Sequence, residues 1–141
     1  MKENKPVITI ETTVNSPVQR AWNIWTSPEH IVNWSYASDD WHTTTAENDL
    51  KKGGKFLYRM EAKDGSMGFD FGGIYDEVVE NKSIEYTAGD GRRVKISFNP
   101  KGDKTEIIET FEAENTNSLE MQKAGWQAIL ENFKKYAETQ F

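Results

Sequence analysis

Apolar and polar residues alternate along most of this chain, and the period changes once near its end. Val7 to Val14, "VITIETTV", alternates and is rich in β-branched residues, which predicts a strand. "NSPVQRAWNIW" follows, with Ser16 expected as N-cap and Pro17 at the first helical position. Val18, Ala21, Trp22 and Trp25 then recur at helical spacing. "SPEHIVNW" repeats the start signal with Ser27 and Pro28, so two short helices stand in tandem. "DDWHTTTAENDLKKGGKF" reads as a strand running into a turn punctuated by Gly53 and Gly54.

"KFLYRMEA" places Phe56, Tyr58 and Met60 on one face, with Leu57 interrupting the polar side. "KDGS" is a hairpin loop, and "MGFDFGGIYDEVV" resumes with Met67, Phe69, Phe71 and Tyr75 on one face. Apolar faces must match across a hairpin, because a slip of one residue turns a face to water. If Ala62 opposes Met67, then Met60 opposes Phe69, Phe56 opposes Gly73 and Arg59 faces Asp70 as an ion pair. "IEYTA", "VKISF" and "TEIIETFEAE" give three more strands joined by short turns, as in a meander. From about Ser118 the period becomes helical. Leu119, Gln122, Trp126, Ile129, Leu130, Phe133 and Tyr136 form one stripe, and Lys134 and Lys135 suit the C-terminal end of the helix dipole.

Strands segregated from one long terminal helix imply an α+β fold. The expected architecture is a curved antiparallel sheet of six or seven strands. Two short helices follow the first strand, and the long C-terminal helix packs in the concave face. The span 1–141 is expected to form one domain, since 141 residues suffice for a core and no linker or repeat is visible.

Composition narrows the function classes. The chain has no cysteine, which removes disulfides, thiol chemistry and Cys-based metal sites. Its net charge of -6 argues against a dedicated nucleic-acid binder, and the pairs Lys51–Lys52 and Arg92–Arg93 read as solvated turn residues. No segment reads as a signal peptide or a membrane span, so a soluble, cytoplasmic protein is expected. Aromatic residues make up 12% of the chain, against an overall apolar share of 36%. The interior must therefore be built from a few large rings, which fill curved space poorly.

The order of elements is the helix-grip arrangement, and the residues resemble a known family. "SPVQRAWNIWTSPEHIVNW" resembles the opening segment of the START-like, or SRPBCC, superfamily. More closely, it resembles the bacterial branch similar to the C-terminal domain of the activator of the heat-shock-protein-90 ATPase. "NDLKKGGKF" is similar to that family's acidic-Leu-basic-x-Gly-Gly turn, with Asp49, Leu50, Gly53 and Gly54 in place. "GGIYDEVVENKSIEYT" resembles its Gly-x-hydrophobic-x-Glu strand and the strand after it, and "GWQAILENFKKY" its final helix. Two loops depart from the pattern: Lys51 and Lys52 replace Arg-Pro, and "ENKS" replaces Pro-Pro. These motifs define a scaffold and not a reaction.

No nucleophile elbow, Walker loop or dinucleotide fingerprint is present, and no metal or cofactor is implied. Asp39 and Asp40 read as a solvated loop, because adjacent loop carboxylates rarely converge on one substrate atom. His30 is expected at the surface. His42 is expected as a partly exposed strand residue, with a polar handle in a pocket as its alternative role. The candidate ligand-binding set is aromatic and apolar: Trp34, Trp41, Tyr58, Met60, Phe69 and Phe71, with Tyr75, Trp126, Ile129, Leu130 and Phe133. In a generic α+β domain such residues fill a core; the resemblance implies a hydrophobic pocket there. Gly68, Gly72 and Gly73 are expected to leave bends or space in their strand.

The reading expected is a small hydrophobic or aromatic molecule bound between helix and sheet without turnover, oriented by Tyr58, Tyr75 or His42. Two alternatives stand beside it. One is a co-chaperone-like interaction module, working with a protein partner or as a homodimer. The other is a cyclase- or hydrolase-type enzyme using the same pocket. A buried ionisable group beside an open pocket would favour the enzyme; a closed core would count against both pocket readings.

Overall fold

The structure is a computed structural model that describes residues 6–139. The ends of the expected domain span, residues 1–5 and 140–141, lie outside the described residues. The elements are β1 (Val7–Val14), α1 (Val18–Thr26), α2 (Pro28–Ile31), β2 (Trp41–Asn48), β3 (Lys55–Ala62), β4 (Gly68–Val79), β5 (Ser83–Ala88), β6 (Arg93–Lys101), β7 (Lys104–Glu112) and α3 (Leu119–Glu138). The seven strands form one antiparallel sheet in the order β1-β7-β6-β5-β4-β3-β2. The sheet curls into a half-barrel, and α3 packs against it. This is the expected α+β helix-grip architecture.

The register follows the apolar pattern. Met60 pairs with Phe69, Phe56 with Gly73 and Arg59 with Asp70. The Ala62 amide donates to the Met67 carbonyl at 2.9 Å, and Arg59 Nη1 lies 3.4 Å from Asp70 Oδ1. A hydrophobic mismatch on either face would have cost more than these polar contacts supply, so burial sets the register.

Three local expectations are corrected. Ser16 does not cap α1: Pro17 is extended (φ -62°, ψ 152°), so the helix begins one residue later. Ser16 is instead buried against the sheet, its carbonyl accepting from Thr105 Oγ1 at 2.7 Å. Second, the β4 glycines mark close approach and not space. A Cβ at Gly73 would fall 2.5 Å from the Thr87 carbonyl oxygen, and one at Gly72 would fall 2.6 Å from that of Phe56. They let β3 and β5 close in on β4. Third, Leu119 lies at the start of the α3 stripe yet is exposed. The cap of α3 does form, with the Met121 amide donating to Ser118 Oγ at 3.1 Å.

α3 is held along one edge of the sheet. Lys134 Nζ donates to the Thr13 carbonyl at 2.8 Å and pairs with Glu138 at 2.7 Å. Glu138 in turn accepts from the Asn15 amide at 2.9 Å. At the other end buried Gln122 accepts from the Glu114 amide and donates to the Asn117 carbonyl, both at 2.8 Å. Because α3 is fixed over β1, the concave face of β3–β5 is left only partly covered.

Candidate functional site

That uncovered part is a recess of about 280 Å³ between the sheet and α3. Its rings come from alternate, inward positions of three neighbouring strands: Phe56 and Tyr58 on β3, Phe71 and Tyr75 on β4, Tyr86 on β5. They interlock, with Phe56 4.7 Å from Tyr86 and 5.2 Å from Tyr75 between ring centroids. Trp126 of α3 forms the roof. Its indole stacks on Phe111 of β7 at 3.9 Å and 12° and meets Phe71 edge-on at 6.2 Å. Trp25, Trp34 and Ile129 close the inner end.

The polar groups are few. The Tyr75 hydroxyl donates to Asn48 Oδ1, whose amide is anchored on the Thr26 carbonyl at 2.7 Å. Arg92, in the turn before β6, lies 6.0 Å from the Trp126 ring and pairs with Asp90 at 2.7 Å. Glu109 of β7 is the unusual member. It is only 6% exposed, lines the recess, and among the described residues its carboxyl has no hydrogen bond or ion pair. Burial alone pushes that carboxyl up to about 8. Burial also raises the phenols of Tyr58, Tyr86 and Tyr75 above their usual range, so they stay neutral at physiological pH.

Eight residues of the sequence-derived set line this recess. Tyr58, Met60, Phe69, Phe71 and Tyr75 come from the sheet, Trp126 and Ile129 from α3, and Trp34 from the segment after α2. Phe69 is 47% exposed and sits at the mouth. Three do not line it. Trp41 stands outside, against Phe69, with centroids 5.7 Å apart. Leu130 and Phe133 are fully buried on the neighbouring part of α3, where Phe133 packs on Trp25 and Trp34 at 4.8 and 5.0 Å. His42 is partly exposed on β2 opposite Glu61 and does not reach the recess. His30 Nδ1 lies 2.7 Å from the Tyr136 hydroxyl, binding α2 to α3.

The lining residues outside the sequence-derived set include Glu109, Tyr86 and Arg92. For Glu109 the signal was available. Thr105, Ile107, Glu109 and Phe111 alternate along β7 and are all buried, so a carboxylate occupies an inward register position. Arg92 is brought in by a turn, and no periodicity marks it.

No group of three or more His, Asp or Glu placed to hold a metal occurs among the described residues. Nor is any of their helices long and apolar enough to cross a membrane.

Comparison with known proteins agrees with this architecture. The family model described as "Activator of Hsp90 ATPase homolog 1-like protein" matches residues 15–138. The AHSA1-like protein from Aeromonas hydrophila superposes with a TM-score of 0.90 at 41% identity, over 94% of this chain and 92% of that one. A protein from Cytophaga hutchinsonii is 54% identical, with a TM-score of 0.81 over 96% and 93% of the two chains. A Chromobacterium violaceum protein shares the fold at 21% identity, with a TM-score of 0.85 over 94% and 98%. No curated protein matches the chain.

Proposed function

The chain belongs to the Activator of Hsp90 ATPase homolog 1-like family, within the START-like superfamily, and on that premise we propose that it acts as one domain that binds a small apolar or aromatic molecule without turnover. The observation that carries this reading is the ring-lined recess under Trp126. Its volume of about 280 Å³ is at the lower edge of the ~300–1,000 Å³ common for small-molecule sites, which selects a compact ligand. Affinity comes from apolar area removed from water, at about 25 cal/mol per Å² before the costs of association. START-like scaffolds commonly hold a hydrophobic ligand in this place.

A thermal-shift screen against lipids, flavonoids and small aromatics tests it. A ligand at about a hundred times its dissociation constant stabilises by roughly 2.7 kcal/mol, which is readily seen. Trp126→Ala, which removes the roof, is expected to abolish the response while the fold persists. A flat response across the panel would count against the reading and leave the family's co-chaperone-like role, with a protein partner, as the better account.

Glu109 favours one second reading, an enzyme of cyclase or hydrolase type. A carboxyl near 8 beside an open recess is suited to general acid–base work at neutral pH. It stands alone, however. Among the described residues no histidine and no second carboxylate lines the recess, so such a reaction would have to run on one proton-transfer group and tyrosine hydroxyls.

A further inference from the structure

Glu109 presents a problem that folding alone does not explain. A buried carboxyl without a partner is costly, and replacing it by leucine would remove the cost. Its position offers no internal remedy. Its register partners are Ile10 on β1 and Ile96 on β6, and its neighbours along the inner face of β7 are Ile107 and Phe111. Its carboxyl lines the recess, together with Trp126 and with Tyr58 and Tyr86, whose phenols feel its charge.

A carboxylate that shares a recess with several aromatic rings is complementary to an organic cation. The carboxylate supplies a charge-assisted hydrogen bond, and the ring faces attract the positive charge through their quadrupoles. Resting on the proposed binding role, we infer that Glu109 is the polar anchor of the recess and that the molecule held there is a small amine, its ammonium on the Glu109 carboxylate and its hydrocarbon against the rings.

The groups that face this site fix how binding depends on pH. Tyr58 on β3, Tyr75 on β4 and Tyr86 on β5 are phenols that burial raises above their usual range, so they stay neutral. The Arg92 guanidinium, which also lines the recess, is paired with Asp90. α3 contributes Trp126 and Ile129 and no charge. Glu109 is therefore the group that titrates. It is protonated in the empty protein below about pH 8 and must release that proton to pair with an ammonium. Amine affinity accordingly rises with pH, by up to about tenfold per unit, and levels off above pH 8.

The test compares phenylpropylamine, phenylpropanol and phenylpropionate by calorimetric titration at several values between pH 6 and 9, with the Trp126 indole resonance locating the bound molecule. The amine should bind at pH 8.5 at least tenfold more tightly than the alcohol, and of the three only the amine should bind more tightly as pH rises. Glu109→Gln should erase both the preference and the slope. The slope in the unmodified protein decides the matter even if that variant folds poorly. Equal binding of amine and alcohol in the recess would overturn this inference and leave the binding role standing. An amine preference that survives Glu109→Gln would overturn it as well. Binding of none of the three would remove both.

Discussion

The groove beneath α3 has two ends, both built from aromatic residues, and they behave differently. At the end covered by α1 and α2, Trp25, Trp34 and Phe133 meet with centroids 4.8–5.0 Å apart, and Trp22 meets Phe98 edge-on at 5.2 Å. Phe133, Phe98 and Leu130 are fully or almost fully buried, and the packing is closed. At the β3–β5 end the rings of Phe56, Tyr58, Phe71, Tyr75 and Tyr86 also touch, yet they surround a recess. Two things separate the ends. Helices cover the first from above, whereas α3 alone reaches over the second. The first end is lined by hydrocarbon and indole; the second carries three hydroxyls and a carboxyl, which no apolar side chain can pack against without cost. Aromatic content thus marks the groove, and the polar tips mark the part of it that stays open.

The largest expected effect is on the closed end. Phe133→Ala should destabilise the protein by about 3–5 kcal/mol in urea unfolding, the range for losing a fully buried ring. A loss below about 1 kcal/mol would mean that this end is as loosely filled as the other.

Glu109→Gln probes the open end with the opposite sign. Its folded-state value of about 8 stands above the ~4.3 of an unfolded chain. Between those values the folded protein retains a proton that the unfolded chain has released, so stability falls as pH rises through this window. Above about 8 the full loss has been incurred. Glutamine removes this dependence, and at pH 9 the variant should be more stable than the parent by a few kcal/mol, converging at pH 4. Parallel stability profiles for the two proteins would show that the carboxyl is not held in its protonated form.

Phe71→Ala gives the smallest effect. Its ring borders the recess and is only partly buried, so truncation enlarges space that is already there. A cost of about 1–2 kcal/mol is expected, below that of Phe133→Ala. Equal costs for the two would erase the distinction between the ends.

Much of this was legible in the chain itself. The period of two, the turn residues and the late change to a helical period determined the strands, the hairpin registers and the packing of α3 against the sheet. They did so because each apolar face has one way to leave water. Eight recess residues were legible for the same reason: they are inward positions of those strands and of the helix. Whether an inward aromatic fills a core or borders a space was decided only in three dimensions. It depends on how far α3 slides along β1 and on where its polar clamps to Thr13 and Asn15 hold it, contacts between residues more than a hundred positions apart. The same holds for Glu109. The alternation of β7 marks an inward position for it, but only the tertiary structure showed that no described residue pairs with its carboxyl.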